Sequence, residues 1–91
     1  MILASQMKFP LGQVVITPNA LEKLNADDIL HALNRHVAGD WGELDDEDRQ
    51  ANDSALLGGD RLLSAYRSDA TKFWIITEAD RSVSTVLLPE D

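Results

Sequence analysis

Residues 61 to 88 leave this chain little choice of fold. Lys72-Phe73-Trp74-Ile75-Ile76-Thr77 is aromatic, β-branched and almost wholly apolar, which suits a central strand covered at least in part on both faces. Arg61 to Arg67 before it and Ser82 to Leu88 after it also have strand composition, and Pro89 stops the last one. The links between them, Ser68-Asp69-Ala70-Thr71 and Glu78-Ala79-Asp80-Arg81, are short and turn-like. Strands joined so closely run antiparallel, so a three-strand meander is expected.

The first half reads differently. Residues 1 to 12 form an extended arm broken by Pro10 and Gly12, and Met7-Lys8 offers a second start that would leave Met1 to Gln6 as a dispensable lead. Gln13 to Thr17 is a short β-branched strand, half or fully buried. Thr17-Pro18 then starts a helix of about two turns, with Thr as cap and Pro at the first helical position. Asn25 caps a second helix running to about Ala38, with Asp27 and Asp28 in its first turn and Ile29, Leu30, Leu33 and Val37 on one face. Arg35 and His36 fall in its last turn, where cations are favoured, and Gly39 ends it. Asp40-Trp41-Gly42 is a turn whose Trp folds back as a lid on the core. Asp45 caps a third helix to Leu57, with a thin apolar stripe (Ala51, Ala55, Leu56), and Gly58-Gly59 closes it.

The expected fold is therefore α+β: a small antiparallel sheet, the meander plus an N-terminal strand, packed against two to three helices. A chain of 91 residues holds one such domain, here 13–91 behind the arm 1–12. The last strand, Val83 to Leu88, reads as an exposed edge that could pair with its own copy.

Charge narrows the partners. A net charge of −8 repels phosphate backbones and anionic membrane surfaces, so neither nucleic acid nor membrane is an expected partner. Basic protein surfaces and cations are favoured. The absence of cysteine removes disulfides, thiolate metal sites and a thiol nucleophile, and fits a reducing, cytoplasmic setting. No apolar run approaches the roughly 20 residues that span a bilayer.

Most of that charge is local. From Asp40 to Asp60 there are eight acids (Asp40, Glu43, Asp45, Asp46, Glu47, Asp48, Asp53, Asp60) against one base, Arg49. Such a run is commonly a solvated helix start. It also makes a negative surface able to dock on a basic groove, its charges imitating a phosphate row. A calcium loop fits poorly, because the acids miss the D-x-D-x-D-G spacing. His36 and Asp40 are placed to pair at the helix end; His31 and His36, five apart, are poorly set to chelate. In the second turn Arg81 should pair with Glu78 or Asp80. No serine sits in a G-x-S-x-G elbow, no glycine run makes a phosphate loop, and the aromatics lack the bases of a stacking platform. No cofactor or metal is expected.

Two sets of residues also carry a resemblance. They are Arg35-His36 with Gly39-Asp40-Trp41-Gly42, Asp48 and Asn52, and Arg61-Leu62-Leu63-Ser64-Ala65-Tyr66 with Trp74-Ile75-Ile76-Thr77-Glu78-Ala79-Asp80-Arg81-Ser82 and Leu87-Leu88-Pro89-Glu90. Together, over roughly residues 13 to 91, they resemble a family of small bacterial proteins of plasmids, phages and integrative elements, some labelled type I restriction enzyme M subunits. That label does not fit as chemistry, since the chain is too short for a cofactor domain and a methyltransferase motif. The chain departs from the family where Ser68-Asp69-Ala70-Thr71 replaces an Asp-Gly turn and where a Tyr would follow Asp91. The resemblance implies a mobile element as context. The expected function is a non-enzymatic inhibitor of a host defence complex, anti-CRISPR or anti-restriction. It would bind a basic host protein or nuclease complex through Asp40, Trp41, Glu43, Asp45, Asp46, Glu47, Asp48, Glu78, Asp80 and Arg81. The alternatives are a small hydrolase built on His36, Asp40, Glu78 and Asp80, or a toxin–antitoxin accessory protein.

Overall fold

The three C-terminal strands do form a meander. In the computed structural model, which describes residues 7–91, β2 (Leu62–Ser68), β3 (Thr71–Thr77) and β4 (Val83–Leu87) pair antiparallel in sequence order. Asp69, at the β2–β3 turn, takes φ 53°, a left-handed conformation that Asp tolerates better than most side chains. Asp69 and Ala70 make a two-residue link between the strands. The N-terminal strand β1 (Gln13–Ile16) adds to β4, giving the order β1-β4-β3-β2.

Two expectations about the strands change. β1 runs parallel to β4, so the sheet is mixed rather than wholly antiparallel. The reason is the long crossover: three helices separate β1 from the meander, and the chain re-enters the sheet far from it. Consequently β4 is interior, paired on both sides, and cannot be the edge that meets a second copy. β1 is an edge instead, and largely exposed rather than buried.

The helices begin where their caps stand. Thr17 Oγ1 accepts from the N–H of Ala20 at the start of α1 (Pro18–Lys23). Asn25 Oδ1 takes the N–H groups of Asp27 and Asp28 at the start of α2 (Ala26–Val37). Asp45 takes the N–H of Asp48 at the start of α3 (Asp46–Gly58), and Gly59, at φ 76°, ends it. Each side-chain cap is worth about 1 kcal/mol.

Strand period decides what faces the helices. Leu62, Ser64 and Tyr66 share a face with Phe73, Ile75, Thr77, Ser84 and Val86, and all are buried. One core cluster joins Ala20, Leu24, Ile29 and Ala32 to Tyr66, Phe73, Ile75, Val86 and Leu88. A second gathers Phe9, Val37, Trp41, Ala55 and Leu62, with Leu11, Leu44 and Leu56 against it. Residues 7–12 of the arm are thus strapped to the domain: Phe9 is buried, and Lys8 N–H donates to Val37 C=O. The lead expected over Met1 to Gln6 lies outside the described residues.

The other sheet edge is covered at Leu63 and Ala65. Ala65 N–H donates to Trp41 C=O, and Glu43 N–H donates to Ala65 C=O, so residues 41–43 lie along β2. Asn52, buried on α3, does the same for Leu63: its amide donates to Leu63 C=O and accepts from Leu63 N–H. Gly42 makes the close approach possible. Its φ is 76°, and a Cβ there would stand 2.0 Å from the Ala65 carbonyl oxygen. Gly42→Ala should therefore cost roughly 2–4 kcal/mol, read as a lower midpoint in urea unfolding.

Candidate functional site

His36 does not pair with Asp40. It turns inward from α2, with none of its surface exposed, and sits between two hydroxyls of the sheet. Its Nδ1 is 2.5 Å from Ser64 Oγ and its Nε2 is 2.8 Å from Thr77 Oγ1. Thr77 Oγ1 is 2.7 Å from Ser84 Oγ, which donates to the Leu11 carbonyl at 2.8 Å. The protons can be assigned from the far end. Ser84 spends its hydrogen on Leu11, so it must accept from Thr77. Thr77 then has no hydrogen left and accepts from His36 Nε2–H. Nδ1 of the neutral ring is the remaining acceptor, and Ser64 donates to it. The chain of bonds closes with every member satisfied.

Burial sets the charge of the ring. Removal from water, then the nearby Arg81 guanidinium, lower its pKa to about 4, so His36 is neutral at ordinary pH. Phe9 and Trp41 wall it in edge-on, with ring centroids 5.1 Å and 5.7 Å away. The expected cationic partner of the helix end is thus a sealed, neutral bridge. It ties α2, β2, β3, β4 and the arm to one point.

The remaining expected site residues divide into those held by the fold and those left free. Asp40 makes a two-point ion pair with Arg35, at 2.8 and 3.1 Å. That bond holds the Asp40 carboxyl below its usual range and raises Arg35. Trp41 is the lid expected; its ring N–H donates to Asp53 at 3.0 Å. Glu43 pairs with Arg67, and Glu78 with Arg61. Asp80 accepts from the N–H and hydroxyl of Ser82 within its own turn, which lowers its pKa. Arg81 pairs with neither acid. Its guanidinium donates to the carbonyls of Ala55, Asp60 and Glu78 and lies 5.7 Å from the centre of the Phe9 ring. α3 has no base in its last turn, so Arg81 supplies the missing positive charge at that carbonyl end. Carbonyls fixed by the helix end outcompete carboxylates free to reach water.

Among the expected site residues, three acids stay uncommitted. Asp46, Glu47 and Asp48 are exposed on the first turn of α3, with no cation within ion-pair distance among the described residues. The acidic segment is therefore part scaffold and part open surface. His36, Asp40, Glu78 and Asp80 do not gather: each has its own partner, and the histidine is sealed. Among the described residues no cluster of acids and histidines is arranged to hold a metal ion. No described helix is long and apolar enough to cross a membrane.

Sequence reasoning passed over Ser64, Thr77 and Ser84. The signal was present: each occupies an inward position of its strand, in phase with Leu62 and Tyr66, with Phe73 and Ile75, and with Val86. Polar residues at core phase in three neighbouring strands call for a shared partner, and His36 is it. Comparisons with protein families, with curated proteins and with solved structures find no match for this chain.

Proposed function

We propose that this chain is a non-enzymatic protein-binding module of a mobile genetic element. It docks through the start of α3 on a basic surface of a host protein, such as the nucleic-acid groove of a CRISPR or restriction complex. The observation that supports the reading is the contrast between acids. Asp40, Glu43 and Glu78 are neutralised by arginines, whereas Asp46, Glu47 and Asp48 stand together with none among the described residues. Three acids without a basic partner on one turn steer a cationic partner at long range, and they also complement the N-terminal end of the α3 dipole. Asp45 caps the helix, and Trp41 and Arg81 hold the core, so these three act by presenting the surface. The hydrolytic alternative draws no comparable support, because its histidine is enclosed and already fully bonded.

Capture from lysate of a host carrying CRISPR and restriction systems tests this. The wild-type chain should retain a basic protein or complex that is released as salt rises from about 0.1 to 1 M, as screening shortens from roughly 10 to 3 Å. The neutral triple variant Asp46→Asn, Glu47→Gln, Asp48→Asn should retain at least tenfold less while keeping the circular dichroism of the native fold, at a modestly lower unfolding temperature because the α3 dipole loses its acids. A partner held equally by both proteins at all salts would refute the reading.

A further inference from the structure

The two edges of the sheet are not alike. Outward groups of β2 at Leu63 and Ala65 are bonded by Asn52 and by residues 41–43. Among the described residues nothing does this for β1. Gln13 N–H donates to Ser82 and Thr17 N–H to Val86, so by alternation Val14 and Ile16 turn their N–H and C=O groups away from β4. These two residues form an open ladder.

The surroundings of that ladder are neutral and apolar. Residues 9 to 21 are thirteen consecutive positions without an ionisable side chain, the longest such run in a chain of net charge −8. Within it, Val14 and Val15 are 40% exposed and Leu21 is 65% exposed. The strand is short, but it carries no lysine, no proline and no inward charge to protect its edge. An acidic protein repels its own copy over most of its surface, and repels it least here.

We propose that β1 is a self-association edge, pairing antiparallel with β1 of a second copy about a two-fold axis at Val15. The register is self-complementary. Val14 exchanges both backbone bonds with Ile16 of the other copy, and the symmetry gives four bonds in all. Pro18, which has no N–H, ends the ladder on each side. Val15 faces its own copy as a non-hydrogen-bonded pair, with Cα atoms about 4.5 Å apart. The result is a continuous eight-stranded sheet with the start of α3 present twice. This goes beyond the binding role proposed above and does not depend on it.

The register can be tested by cross-linking, because the natural chain has no cysteine. Val15→Cys should form a disulfide-linked dimer on mild oxidation, since about 4.5 Å lies within the 4.4–6.8 Å that a disulfide spans. Val14→Cys should not, being offset by two residues from its own copy. Light scattering at micromolar to millimolar concentration should show a dimer for the wild-type chain. Val15→Glu, which sets two carboxylates face to face, should weaken it at least tenfold. Val14→Pro should weaken it similarly, since it removes only an outward N–H. Both variants should keep the circular dichroism of the native fold. A wild-type chain that stays monomeric, a dimer unmoved by both substitutions, or equal cross-linking at both cysteine positions would overturn the proposal.

Discussion

Acidification from pH 6.5 to 4 should cost this protein about 3 kcal/mol through His36 alone. The sign follows from where the proton binds. The unfolded imidazole titrates near 6.5 and the folded one at about 4, so between those values the unfolded chain takes up a proton that the native core refuses. The contribution is complete above about pH 6.5 and is lost as pH falls toward 4. A domain this small has a stability on the order of 5 kcal/mol, so much of it disappears within that window. The carboxylates whose folded pKa is lowered, Asp40 among them, lose their contribution only at lower pH, below their ordinary 3.8. Urea midpoints at half-unit steps of pH would separate the two. His36→Gln, less stable at pH 7 but unable to titrate, should lie nearly flat between 6.5 and 4.

Trp41→Ala should be comparably damaging at neutral pH, by roughly 3–5 kcal/mol. The ring is buried against Phe9 at 6.2 Å and His36 at 5.7 Å, and its N–H reaches Asp53. Truncation leaves a cavity and opens the histidine to water. The gentler Trp41→Phe removes the bond to Asp53 while keeping an aromatic wall. Its His36 should titrate between the folded value of about 4 and the free value of 6.5, whereas substitution of the exposed Leu57 should move neither stability nor titration.

Local chemistry made much of this fold legible from sequence. Thr17, Asn25 and Asp45 are caps wherever they are read, because each satisfies amide groups a few residues away. The meander followed from short turns, and the Trp41 lid from its place after a helix end. What escaped were relations across the chain. Nothing local to Gln13-Val14-Val15-Ile16 says that it runs parallel to β4 and takes the edge from it. Nothing near Arg81 announces the carbonyl end of α3, more than twenty residues earlier, so an acid one position away looked the better partner. His36 was assigned to its helix terminus for the same reason. Its true partners lie 28 and 41 positions away. The acidic segment was visible as a total, but which acids are spent on arginines depends on where Arg35 and Arg67 fall in three dimensions.

His36 is a sealed structural bridge, apart from the acids proposed to bind a partner. Nitrogen NMR of the imidazole measures this most directly. A neutral ring with hydrogen on Nε2 and a bare Nδ1, unchanged from pH 8 down to about 5, is the expected result. A hydrogen on Nδ1 instead, or an imidazolium forming with a midpoint near 6.5, would contradict it.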